Sequence, residues 1–426
     1  MRFIYVILAY LLTPLLLGHL LWRGRANPEY RRRIGERFGL GHARLPSPSI
    51  WVHAVSVGEI QAAAALVRRL LERYPTQPVV LTTVTPTGLQ RAWELFGDAV
   101  VHSYAPFDLV GSVRKFFDWS RPQLLIVLET ELWPNLYHEC GRREVPLVLA
   151  SARVSPKSVN RYRLMLSLFR QTLSHGIVIA AQSEADAKRF LALGASPERT
   201  HVTGNIKFDF DLPPQVETHG RRLRQSHAPD RPIWIAASTH ANEEEIVLAA
   251  HRQVLEAFPN ALLLLVPRHP ERFETAVSLT AKQGFSAVRR SGGDDCTIDT
   301  QVFIGDSMGE LPMFYAAADI AFVGGSLVQV GGHNLLEPAA LGKPVLTGPY
   351  TYNAEDIGRL LQDAGAVRVV GNADELGDAA INLLGDPQEC ERIGALGRAA
   401  VNSNRGALDR LLGLISPLVD RGEAAE

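Results

Sequence analysis

The stretch Ile50-Trp51-Val52-His53-Ala54-Val55-Ser56-Val57-Gly58-Glu59 opens as a short apolar run and closes on a polar turn. The residues that follow, Glu59–Arg73, carry their apolar side chains at helical spacing. An apolar run feeding a helix through a polar turn is the repeating unit of a parallel sheet, whose strands are covered on both faces. The unit recurs. Val79–Thr83, Leu124–Leu128, Leu147–Ala150 and Ile177–Ala181 are further candidate strands. The rhythm stops at Phe208–Arg222, where Pro213-Pro214 and several charges occur without sustained periodicity, as in a linker. It restarts with Ile233–Ala237, Leu262–Val266, Val302–Ile304, Ile320–Val323 and Val345–Thr347, and a last helical segment covers Asn402–Val419. The expected fold is α/β, with two doubly wound Rossmann-like domains facing a cleft. The expected divisions are an anchor at 1–22, a first domain at 23–207, a linker at 208–222, a second domain at 223–401 and a helix with tail at 402–426.

A chain of 426 residues exceeds one ordinary core, so two domains also agree with length. The formal net charge of -1 argues neither for nor against nucleic acid, and no nucleic-acid partner is expected. The three cysteines, Cys140, Cys296 and Cys390, form no CxxC pair, so neither a disulfide framework nor a zinc site is indicated. His240-Ala-Asn-Glu-Glu lacks HExxH spacing, so no metal site is read there.

Phe3 to Trp22 is almost entirely apolar and long enough to cross a bilayer as a helix. A cleaved signal peptide would carry a shorter apolar core and a small-residue cleavage site. Here bulky Leu and Trp run into Arg23-Gly24-Arg25, so the segment is read as an uncleaved anchor. A crossing helix and one that dips into a single leaflet, kinked at Pro14, both fit. Arg23, Arg25, Arg31, Arg32, Arg33, Arg37 and Arg44 follow within a short stretch, which places the remainder of the chain in the cytoplasm. The cluster is either a topology signal alone or also a face for anionic headgroups and a phosphorylated lipid.

Open parallel sheets bind ligands beyond the carboxyl ends of their strands. In the second half those ends read as a nucleotide pocket. Leu262–Val266 runs into Pro267-Arg268-His269-Pro270. Val302–Ile304 runs into Gly305-Asp306-Ser307-Met308-Gly309-Glu310. Ile320–Val323 is followed by Gly324-Gly325-Ser326, then by Gly331-Gly332-His333-Asn334 and a helix containing Glu337. Glycines let backbone N–H groups approach an anion, and Arg268 offers a forked donor to phosphate. Glu337 suits the paired hydroxyls of a ribose, although a carboxylate in a first helical turn is also ordinary helix chemistry. Neither GxxxxGK[ST] nor GxGxxG occurs.

In the first half the strand ends carry carboxylates. Glu59 opens the helix after Ile50–Val55, and Glu129-Thr130-Glu131 follows Leu124–Leu128. A carboxylate at the end of a buried strand is costly unless paired or used. At a helix N-terminus Glu59 is expected to stay ionised at neutral pH, as a base accepting an alcohol proton must. Thr203-Gly204-Asn205-Ile206-Lys207 adds a cation whose position alone leaves its role open.

Six segments together, His53–Glu59, Glu129–Asn135, Thr203–Lys207, Pro267–Pro270, Asp306–Glu310 and Gly331–Glu337, resemble the bacterial Kdo (3-deoxy-D-manno-octulosonic acid) transferase family. The resemblance runs from the anchor to the last helix. It implies a GT-B fold, an acceptor-binding N-terminal domain and a CMP-Kdo-binding C-terminal domain. It also implies transfer of Kdo with inversion to a tetraacylated lipid A precursor at the bacterial inner membrane, with no cofactor or required metal. By the same resemblance Glu59 is the general base, and Glu129 and Lys207 support the transition state. Pro267, Arg268, Met308, Gly309, Glu310, Asn334, Leu335, Leu336 and Glu337 contact CMP. An epimerase on the same fold would need no anchor, and a mere binder would need no Glu59.

Overall fold

The computed structural model describes residues 2–129, 131–154 and 176–423. Two compact units emerge, Met1–Phe210 joined by Arg405–Glu426, and Asp211–Asn404. Each is built on its own seven-stranded, all-parallel sheet.

The first sheet contains β1 Ser49–His53, β2 Val79–Thr83, β3 Val101–Tyr104, β4 Pro122–Leu128, β5 Leu147–Ala152, β6 Val178–Ala181 and β7 Thr200–Val202. Their order is β3-β2-β1-β4-β5-β6-β7. The chain therefore starts in the middle, moves outward to β3, and returns to the other side of β1 at β4. The reversal lies between β1 and β4, and the loops leaving these two strands carry Glu59 and Glu129. That is where a doubly wound sheet opens a crevice for ligands.

All five residues of β1 are buried. Ile50 and Val52 pack with Ile60, Ala63, Val67 and Leu70, while Trp51 points to the other face, against Phe116 and Phe117. Coverage on both faces is why β1 reads as an unbroken run rather than an alternation. Each such fully buried large apolar side chain contributes about 1.5–3 kcal/mol. The helices around this sheet include α1 Arg2–Ala26, α2 Val57–Arg73, α3 Pro86–Phe96, α4 Val110–Ser120 and α5 Pro134–Arg142.

The second sheet contains β8 Ile233–Thr239, β9 Leu262–Pro267, β10 Ala287–Arg289, β11 Val302–Ile304, β12 Ile320–Val323, β13 Val345–Thr347 and β14 Val367–Val369. The order β10-β11-β9-β8-β12-β13-β14 puts its reversal between β8 and β12. The loops leaving these strands are the His240 turn and the Gly324-Gly325-Ser326 turn.

Three expectations on organisation differ from the structure. Half of the supposed linker is a helix, Val216–His227, within the second unit. It is polar except for Val216, Gly220 and Leu223, which share one face, and Gly220 packs directly on Ala316. The last helix begins at Ala407, because Asn402 and Ser403 end the preceding helix Pro387–Ser403. Ala407–Glu423 also belongs to the first unit, where Leu411 and Ile415 join the core of Ile50 and Val52. Its N-terminus is fixed by Asp209, whose carboxylate accepts from Gly406 N and Leu408 N at 2.6 Å each.

Candidate active site

Glu59 sits in the first turn of α2 and closes a reciprocal cap. Ser56 Oγ accepts from Glu59 N at 3.4 Å, and Glu59 Oε2 accepts from Val55 N at 2.7 Å. The sequence Ser56-Val57-Gly58-Glu59 dictates this closure. The carboxyl group is nevertheless half-buried, and burial raises its pKa to about 7 against the pull of the Val55 N–H. The negative charges of Glu129 and Glu131 push the same way. The expectation of a fully ionised Glu59 is thus corrected: at neutral pH it is poised between its two forms, because desolvation outweighs the helix terminus.

Glu129 directly follows β4, in the left-handed region at φ 56°. This is an uncommon conformation for a residue with a Cβ, and such strain concentrates at functional sites. Lys207 Nζ lies 2.7 Å from Glu129 Oε1. The Lys207 turn is held by Asn205, whose Oδ1 accepts from Lys207 N at 2.9 Å, and Arg410 of the last helix donates to Thr203 O at 2.8 Å. Thr130 lies outside the described residues. Beyond it Trp133 Nε1 donates to Glu131 Oε2 at 2.8 Å. The Trp133 ring stands edge-on to buried His53, with centroids 4.9 Å apart. Burial lowers the His53 pKa to about 4, so that imidazole is neutral. The structure thus joins Glu129 directly to Lys207 and brings the charges of Glu129 and Glu131 within electrostatic reach of Glu59.

In the second unit Pro267 is the buried last residue of β9, and Arg268 is exposed immediately after it. Met308 is exposed, and Gly309, at φ 84°, has open space where a side chain would stand. Glu310 is held by Arg290 at 2.8 and 3.0 Å and by Ser307; the Arg290 bond keeps its carboxyl below the usual range. Asn334 Nδ2 donates to Glu337 Oε1 at 3.0 Å. Burial raises the Glu337 pKa, opposed by that bond and by the charge of Arg268. Leu335 and Leu336 have buried side chains, so only their backbone can meet a ligand.

Two residues that hold these sites were missed in the sequence. Buried Glu243 accepts from the backbone N–H groups of His240, Gly325, Ser326 and Leu327, at 2.7 to 3.2 Å. It thereby ties the loop after β8 to the glycine turn after β12. Its place three residues after His240 was visible, but not that its side chain folds back. Asp209 was missed because it lies in the supposed linker.

Two Rossmann-like units, each on a parallel sheet with a switch point, define a GT-B-type fold. In fold the chain is similar to the UDP-GlcNAc 2-epimerase of Neisseria meningitidis bound to UDP-GlcNAc, with a TM-score of 0.55, 14% identity and coverage of 86% of this chain and 100% of that one. Residues 32–210 match the family described as 3-deoxy-D-manno-octulosonic-acid transferase (kdotransferase), and residues 294–400 match glycosyl transferases group 1. The 3-deoxy-D-manno-octulosonic acid transferase of Haemophilus influenzae is 45% identical over 423 residues, 99% of both chains. That of Bordetella pertussis is 37% identical over 413 residues, 92% of this chain and 94% of its own. The chain belongs to the Kdo transferase family and is a Kdo-transferring glycosyltransferase.

Proposed function

We propose that this enzyme transfers Kdo from CMP-Kdo to a tetraacylated lipid A precursor in lipopolysaccharide biosynthesis, with inversion at the anomeric carbon. The work is done on the cytoplasmic face of a bacterial inner membrane. The observation that carries the reading is Glu59: a half-buried carboxyl at the switch point of the first sheet, with a pKa near 7, beside the Glu129–Lys207 pair. A base tuned near the operating pH is the most effective.

In the reaction the lipid's primary hydroxyl oxygen forms a bond to the Kdo anomeric carbon, and its proton passes to Glu59. The bond from that carbon to the CMP phosphate oxygen breaks, and CMP leaves with the electron pair. Lys207, oriented by Glu129, supports the charge that develops, and fixed donors of this kind act without reorganising. The first unit, Met1–Phe210 with Arg405–Glu426, binds the acceptor, and the second, Asp211–Asn404, binds the donor. Arg268 meets the CMP phosphate, Glu337 the ribose hydroxyls, and Pro267, Met308, Gly309, Glu310 and Asn334 line the nucleotide, with Leu335 and Leu336 contributing backbone.

The test is incubation with CMP-Kdo and the lipid A precursor, followed by mass spectrometry of the lipid and NMR of the new linkage. A Kdo-bearing lipid of inverted anomeric configuration is expected. A lipid left unmodified while the donor is consumed, or a retained configuration, contradicts the proposal.

A further inference from the structure

We infer that α1 lies in the plane of the membrane surface, inserted into one leaflet and latched to the first unit by its first half and by the segment that follows it, rather than crossing the bilayer. The inference rests on the proposed membrane association and deepens it.

The helix has 25 residues, so its ends are about 37 Å apart. That exceeds a hydrocarbon core of about 30 Å. If α1 crossed, the residues touching its two ends would stand on opposite sides of that core. They do not. Near the start, Tyr5 donates to Asp108 Oδ2 at 2.7 Å, and Gly111 N donates to Tyr10 Oη at 3.2 Å. At the far end Arg31 folds back to donate to Leu21 O at 3.0 Å, and two residues on Arg33 donates to His102 O at 2.8 Å. Glu36 then accepts from Tyr104 N at 3.0 Å. Tyr104 and Asp108 are four residues apart, a distance that extended chain covers in at most about 14 Å. The first half of α1 and the segment that follows the helix are therefore tied to one short piece of a polar domain.

Burial along α1 has the matching asymmetry. Tyr5, Ala9, Thr13, Leu17 and Leu20 recur at three- and four-residue spacing and are half-buried. Phe3, Leu8, Leu11, Leu15 and Trp22 are exposed, and no residue of the most apolar 18-residue window is buried. Apolar side chains left uncovered beside a half-buried stripe mark a surface for lipid. The charge after the helix fits anionic headgroups. Arg25, Arg31 and Arg32 are exposed. Arg37 does not share in this: it is buried, stacked on Tyr104 at 4.0 Å, and donates to Val84 O.

The latch also reaches the site. Asp108 accepts from Asn135 N at 3.0 Å and Leu136 N at 2.8 Å, capping α5 directly after the Glu131–Trp133 segment. An in-plane helix so placed holds the acceptor's side of the first unit against the leaflet in which a lipid substrate resides.

The experiment uses the full-length enzyme in sealed inner-membrane vesicles. Cys296→Ser and Cys390→Ser leave only buried Cys140. A single cysteine is then introduced either in a short polar extension ahead of Arg2 or by Arg25→Cys, and a membrane-impermeant maleimide is applied to inside-out and right-side-out vesicles. Labelling of both positions in the inside-out vesicles only is the expected result. Labelling of the extension only in right-side-out vesicles, with Arg25→Cys labelled only in inside-out ones, overturns the inference while leaving membrane association intact. Recovery of the chain in the soluble fraction overturns the membrane reading itself. As an independent arm, a photoreactive phenylalanine at Tyr5 is expected to crosslink to the peptide containing Asp108. Failure to do so in membranes that retain activity also overturns the latch.

Discussion

Lys207 Nζ stands 2.7 Å from Glu129 Oε1 across 78 residues of sequence. The cation follows the edge strand β7 and the anion follows β4, so the sheet has to be complete before they meet. Both side chains keep about a fifth of their surface in solvent. A pair this exposed contributes about 0–1 kcal/mol to stability. Lys207→Met is accordingly expected to leave the melting temperature nearly unchanged while lowering kcat by about 10²-fold, the size of losing one charge-stabilising donor. Parallel thermal scans and steady-state rates measure both; a variant that keeps its rate shows the pair to be structural.

Glu59 gives the enzyme a pH dependence whose sign is fixed. A base works when deprotonated, so kcat is expected to rise with pH through about 7. Stability runs the other way. The folded state binds the Glu59 proton more tightly than the unfolded chain, whose ordinary value is 4.5. Its charge therefore becomes a cost to folding as pH rises from about 4.5 to about 7. Glu59→Gln is expected to melt above the wild type at pH 8, with the gap closing towards about pH 4.5. Calorimetry across that range checks it.

Glu243 carries four backbone donors on one buried carboxylate. Glu243→Ala orphans them, at a cost of about 1–3 kcal/mol for each donor left buried and unpaired. Loss of CMP affinity by titration calorimetry should accompany the fall in melting temperature, because the glycine turn loses its tether.

The central strands were legible and the edges were not. β2, β11, β12 and β13 have the limits expected from their apolar runs, because each is buried on both faces. β3, β7, β10 and β14 went unread. They have three or four residues and carry polar side chains, of which His201, Arg289 and Arg368 stay partly in water while His102 is buried. Glu59, Glu129 and Lys207 could be found because they follow strands. The Glu129–Lys207 contact could not, since it depends on sheet order. Nor could the balance of burial against helix terminus at Glu59, which depends on what packs over it.

Asp209 illustrates the same limit. Read as linker, it instead clasps the last helix against the Lys207 turn. Asp209→Ala is expected to cost about 1 kcal/mol, as a lost cap does. It should also reduce kcat more than it weakens CMP binding, since it disturbs only the first unit. Comparing kcat with the CMP dissociation constant separates these effects.

The most direct test of the account is the turnover of Glu59→Gln with CMP-Kdo and the lipid A precursor, measured beside its affinity for CMP. The substituted amide can still accept the Val55 N–H through its carbonyl oxygen, but it cannot take a proton. The account predicts a folded variant that binds CMP as the wild type does and turns over about 10²- to 10⁴-fold more slowly. Turnover within a few-fold of the wild type would contradict it.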